Sequence, residues 1–296
     1  MDVLDFNAPD SNMITERMFG AKLERDSGPN DPKQYSVPMN FVESTSVRFT
    51  YSVDIGPHSE AEGDISTAEA IQYAASEGRP VVLCIATKGL FLPDTDRNIF
   101  TPRELDFEKI ERIEQFVKDL LASTGPDDSI APSAIIDAIE LGNEYWGIGE
   151  MTSVEYGKLV NVLARIVQEA INELGDSASS DPRILVQMGS HYAVEFEEDQ
   201  PLSPYSSLSF SESVRQANED IMSQITDPFS KQAIDALVEH YYYTNSSDGF
   251  EFNSTSLRNI NNDWAQWESN GFGDKELYIT EWNNKLNNPS QFGLKG

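Results

Sequence analysis

Two short stretches carry residues that could do chemistry. In "AIELGNEYWG" an apolar run ends at Gly142, and Asn143, Glu144, Tyr145 and Trp146 follow without a break. In "LYITEWNN" a second apolar run ends at Glu281 and Trp282. A single Glu past a strand is usually a solvated loop residue. Two such residues acquire a role when the fold turns them toward each other. One carboxyl then protonates a leaving oxygen, and the other attacks carbon or activates water. The remaining sequence decides whether any architecture could bring this pair together.

Seven short β-branched or apolar runs alternate with amphipathic stretches. The strand candidates are 17–25, 45–53, 80–86, 134–142, 183–190, 236–243 and 276–282. Several are almost continuously apolar, as parallel strands buried on both faces are. Helices are predicted over 66–78, 106–123, 152–175, 210–225 and 255–271. Two open with a capping box, Ser66 to Glu69 and Thr152 to Glu155, and close on Gly78 and Gly175. The helix over 106–123 sets Ile110, Ile113, Phe116, Val117 and Leu120 on one face. Trp264 and Trp267 fall on the last helix and are expected in the core or an interface. Residues 195–207 read as a long acidic loop at the mouth of the sheet, either a surface excursion or a lid facing substrate.

Strand, helix, strand repetition implies βαβ units and a parallel sheet. The length, 296 residues, suits one (β/α)8 TIM-barrel-like domain over 1–296. In that architecture Glu144 lies just past the fourth strand and Glu281 at the end of the seventh. Such barrels build their sites at the C-terminal ends of the strands, so strands four and seven would share one mouth.

Composition narrows the partners. With 21 basic against 50 acidic residues the net charge is −29, a surface that repels nucleic acid and anionic membranes. No run approaches the roughly 18 apolar residues of a membrane span, and no signal peptide is visible. The single cysteine, Cys84, lies in an apolar run and reads as a buried structural thiol. His58, His191 and His240 are far apart in sequence, no metal motif joins them, and no cofactor is expected. The G-x-S-x-G of a serine nucleophile is absent. Lys88, just past the third strand, is the lysine placed for Schiff-base chemistry in a competing lyase or aldolase-type reading.

"GNEYW" followed by "ITEWN" resembles the acid/base and nucleophile motifs of clan A glycoside hydrolases, nearest to the α-L-arabinofuranosidase, β-xylosidase and β-glucuronidase-like families. The resemblance implies a retaining double displacement on a polysaccharide or oligosaccharide. Glu144 would be the acid/base, Glu281 the nucleophile, and Asn143 a ligand of the sugar 2-hydroxyl. It also implies that Arg48, in "SVRFTYS", steadies the ionised nucleophile, and that His240 or Tyr242, in "VEHYYY", hydrogen-bonds it. His191, Trp146 and Trp282 are candidates for substrate contact, the tryptophans by stacking on sugar rings. The mechanism asks for a protonated Glu144, with Tyr145, Trp146 and the charge on Glu281 as its surroundings, and for an ionised Glu281. Retention predicts carboxyls about 5–5.5 Å apart.

The polar tail "WNNKLNNPSQFGLKG" after Glu281 contains no evident eighth strand. The barrel is therefore expected to be incomplete at its C-terminus, the chain a fragment of a larger protein with further domains, and the protein secreted. A non-catalytic carbohydrate-binding or adhesin module on the same barrel is the alternative reading.

Overall fold

The computed structural model describes residues 20–22, 46–57, 66–93, 101–122, 135–146, 151–175, 178, 180–190, 194–195, 201–202, 204–205, 207–244, 254–273 and 275–285; for 20–22, 46, 194–195, 201–202, 241–244, 254–259 and 281–285 the backbone alone is described. Seven strands form one parallel sheet in the order β1 (Gly20–Lys22), β2 (Ser46–Tyr51), β3 (Val81–Ile85), β4 (Ile136–Leu141), β5 (Arg183–Gln187), β8 (Ala236–Thr244), β9 (Glu276–Lys285). Between β5 and β8 in the chain, β6 (Val194–Glu195) and β7 (Pro201–Leu202) pair as a short antiparallel hairpin. The stretch expected as a long acidic loop thus carries its own ladder.

Helices connect the sheet strands as the capping signals predict. They are α1 (Thr67–Ser76), α2 (Phe107–Leu121), α3 (Ser153–Leu174), α4 (Phe210–Gln224), α5 (Pro228–Ala233) and α6 (Ser254–Trp267). Ser66 and Thr152 cap α1 and α3 through complete capping boxes. The short α5 has Pro228 in its first turn and lies outside the sequence expectations. A π-helical segment, Glu268–Phe272, follows α6. Trp267 is fully buried and Trp264 half-buried, in agreement with a core role.

Side-chain alternation splits the sheet into two faces. One set, including Val47, Phe49, Leu83, Ile85, Ile139, Leu141, Val186 and Leu237, packs with the helices into the main core. The opposite set forms a smaller cluster of Ala138, Leu185, Ala236 and Val238, with Val82 and Tyr278 against it. That second set lines the inside of the curl. Thr280 on β9 donates a hydrogen bond to Glu140 on β4, three strands away, at 3.2 Å. In a flat sheet three strand spacings of about 4.8 Å would separate them. The sheet therefore curls as the wall of a (β/α)8 barrel does, and among the described residues it ends at β1 and β9 without an eighth strand.

The inner set changes character toward the C-terminal strand ends. Ala138 is followed two residues on by Glu140, Leu185 by Gln187, Val238 by His240 and Tyr278 by Thr280. The lower layers are apolar and seal the interior. The upper layer is polar and forms the mouth.

Candidate active site

The strand-to-loop turn after β4 is unusual. Gly142 has φ +101°, and a Cβ there would meet Thr87 Cγ2 at 2.9 Å and Tyr156 Cε2 at 3.1 Å. Glu144 has φ +46°, the single positive φ outside glycine among the described residues. A glutamate in this left-handed region is under strain that neighbouring contacts must hold. Its N–H donates to Gln187 Oε1 at 2.6 Å, and its Oε1 lies 3.2 Å from His240 Nδ1.

Gln187 reaches the turn because the ladder between β4 and β5 gives way above Glu140 and Leu185. Tyr156, from α3, fills the gap. Its hydroxyl donates to Leu141 O at 2.6 Å and accepts from Gln187 N at 3.0 Å. Burial pushes the Tyr156 hydroxyl well above the ordinary tyrosine value, so it remains a donor at all ordinary pH. Tyr145 stacks on Tyr156 with ring centroids 4.3 Å apart and pairs its hydroxyl with Ser153 Oγ at 3.0 Å. Tyr145 is thus an anchor beneath the turn, with its polar end directed at α3. Trp146 is half-buried and meets Tyr145 edge-on at 5.1 Å.

Behind Glu144 sits a carboxylate that the sequence reading did not single out. Glu140 is fully buried. Arg48 grips it with two bonds, Nε to Oε2 at 2.8 Å and Nη2 to Oε1 at 3.0 Å. The same Nη2 donates to Asn143 Oδ1 at 2.8 Å. His240 Nε2 stands 4.0 Å from Glu140 Oε1. Burial pushes the Glu140 carboxyl up, but His240 and Arg48 together outweigh it and hold the group below the ordinary carboxylate value. The signal for this residue was present: a lone acid inside a buried strand must be paired. Gln187 in "RILVQMGS" and Thr280 in "LYITEW" belong to the same layer and were also not singled out.

The structure therefore brings Arg48, Asn143, Glu144 and His240 together. Arg48 has Glu140 as its described carboxylate partner. His240 was expected beside the nucleophile, and its described carboxylate contact at hydrogen-bonding distance is Glu144. On β9 a bulge skips Thr280, and the Cα of Glu281 pairs in register with that of His240. Glu281 thus lies at the rung of the histidine that touches Glu144. The side chains of Glu281, Trp282 and Tyr242 lie outside the described residues, as does His191 altogether, and with them the predicted carboxyl separation.

A neighbouring ion pair secures the rim. Glu155, the capping-box residue of α3, accepts from Arg103 N at 2.9 Å and Arg103 Nε at 2.8 Å. Arg103 also lies over the Phe91 ring at 4.8 Å. The loop after β3 is thereby tied to the start of the helix after β4. Among the described residues no group of three or more His, Cys, Asp or Glu is placed to hold a metal ion. No helix among them is long and apolar enough to cross a membrane. Cys84 is buried.

A family 51 α-L-arabinofuranosidase from Bifidobacterium longum superposes on 95% of this chain with a TM-score of 0.55, at 12% sequence identity. The shared fold is that of an incomplete (β/α)8 barrel. A GH51 arabinofuranosidase from Xanthomonas axonopodis pv. citri gives the same picture, with 92% of this chain covered, a TM-score of 0.52 and 14% identity. The chain spans 58% of the length of each of these two proteins. No known sequence family matches it, and no characterised protein matches it by sequence.

Proposed function

We propose that this barrel hydrolyses O-glycosidic bonds with retention, using Glu144 as acid/base and Glu281 as nucleophile. Glu281 attacks the anomeric carbon while Glu144 gives its proton to the departing oxygen. Glu144 then takes a proton from water, which attacks the same carbon and frees Glu281. The observation that carries this reading is the strained Glu144 turn, held by Gln187 and touching the histidine whose rung Glu281 shares. Such strain collects at sites where function demands a geometry. Asn143, fixed by Arg48, would hold the sugar 2-hydroxyl, and Trp146 would border the ring. Because the two proteins compared above are α-L-arabinofuranosidases, α-L-arabinofuranosides are the first substrates to try.

The test is trapping with a panel of 2-fluoroglycosides, followed by peptide mass analysis. The reading predicts a label on Glu281, and Glu281→Gln should lower kcat on aryl glycosides by about four orders of magnitude or more. Sugar binding that survives with no turnover by the wild-type protein would make this a carbohydrate-binding module instead.

A further inference from the structure

We infer that Glu140 is a positioning residue for this site, acting on Glu144 through His240 and on Asn143 through Arg48. The inference rests on the glycosidase reading for its kinetic consequence, but its geometry stands apart from it. Glu140 is sealed from solvent, yet its two oxygens serve three polar residues of this layer, Arg48, Thr280 and His240. Oε2 takes Arg48 Nε. Oε1 takes Arg48 Nη2 and Thr280 Oγ1, and faces His240 Nε2 at 4.0 Å. A guanidinium gripped at two nitrogens has one orientation, and that orientation aims the remaining Nη2 hydrogen at Asn143.

The histidine is the second arm. Gln187 Oε1 is committed to Glu144 N–H, so its amide NH2 faces His240 Nε2, at 3.5 Å. An amide donor asks for a lone pair on Nε2, which leaves the ring proton on Nδ1, directed at Glu144. Glu140, against the same Nε2, asks for a proton there. The ring thus sits between a neutral donor and a buried anion whose demands oppose each other, and the charge on Glu140 sets how readily it takes a second proton. The other groups around it among the described residues are Glu144 at the end of β4, Arg48 on β2 held by Glu140, Thr280 on β9, the adjacent Glu239 on β8, whose charge also acts on the ring, and the backbone of Glu281 at its rung. A purely structural ion pair would stabilise the wall and leave kcat and its pH dependence alone.

The test uses the full chain with ¹⁵N-labelled histidine. His240 is assigned among the three histidines by the signal lost in His240→Asn. In Glu140→Gln the His240 titration midpoint should fall by about one pH unit, because a neighbouring anion has gone. On a substrate of the wild-type protein, kcat should fall on the order of tenfold to a hundredfold with little change in KM. The alkaline limb of the pH profile should move to lower pH, and Glu140→Asp should restore part of each effect. If Glu140→Gln does not fold, Glu140→Asp keeps the charge but draws it back from Nε2, and must itself lower the His240 midpoint by a smaller amount. An unmoved midpoint in the folded variants overturns the inference. A moved midpoint in a protein that cleaves no glycoside would leave the inference standing and remove the glycosidase reading.

Discussion

Glu239 and His240 are neighbours on β8 with opposite surroundings, and the acids on the two sides of that strand behave oppositely. On the inner side Glu140 is completely buried, yet two bonds from Arg48 and the nearby His240 keep it ionised. On the outer side Glu239 belongs to the layer under α6, where it is partly buried and faces Asp263. Burial together with the charge of Asp263 pushes the Glu239 carboxyl up to about 8, and burial raises Asp263 to about 7. Burial acts the same way on both sides. What differs is the sign of the partner, which decides whether a carboxylate stays charged and works electrostatically or is held as a neutral acid.

The largest expected effect breaks the inner side of this comparison. Arg48→Met leaves Glu140 charged and buried, with Thr280 and His240 as its described neighbours. Removing one partner of a buried pair costs about 3–5 kcal/mol, so urea unfolding should show a loss of that order at pH 7. Replacing both Arg48 and Glu140 by Met should recover most of that loss, since an apolar pair has no orphan charge. A single variant as stable as the double would mean that the pair is not the energetic unit proposed.

The next effect separates the two sides by pH. Glu140 has a lowered pKa in the folded chain, as does Glu155, where burial raises the value but Arg103 outweighs it. Each binds fewer protons folded than unfolded, so its contribution is present above the unfolded carboxyl value and is lost as pH falls through the folded one. Glu239 and Asp263 have raised values and bind more protons when folded. Their contribution is complete below the unfolded values of 4.5 and 3.8, and is lost as pH rises to about 8 and about 7. Melting temperature should therefore fall as pH rises from about 5 to 8. Glu239→Gln should flatten that slope and stabilise the protein at pH 8 by about 1–2 kcal/mol. An unchanged slope in the variant would show that Glu239 does not titrate there.

Much of the barrel was legible because its signals are local and periodic. Capping boxes at Ser66 and Thr152, and apolar stripes such as Ile110 to Leu120, depend on neighbours a few residues away. The placement of Glu144 and Glu281 followed from counting strands. The partners of those residues were not legible. Glu140 meets Arg48 across 92 residues and Thr280 across 140, distances over which a sequence carries no periodicity. Arg48 was picked out, but its grip on Glu140, an acid in the strand that precedes Glu144, was not foreseen. Gln187 was missed for a related reason: it works through a backbone N–H, and its reach depends on Tyr156 prising β4 and β5 apart. The hairpin of β6 and β7 was hidden because its strands are only two residues each.

The smallest expected effect tests whether the turn at Glu144 gives up stability for position. Its φ of +46° suits glycine better than a residue with a Cβ. Glu144→Gly should relieve about 0.5–1 kcal/mol of backbone strain, partly offset by the greater freedom of glycine in the unfolded chain and by loss of the half-exposed contact with His240. Glu144→Gln keeps the side chain and the strain while removing the charge, so it should leave stability within about 0.5 kcal/mol of wild type. Both should abolish turnover. A glycine variant no more stable than the glutamine variant would mean that Gln187 and the Tyr145 anchor hold this turn without strain. The left-handed glutamate would then be a consequence of the loop's path.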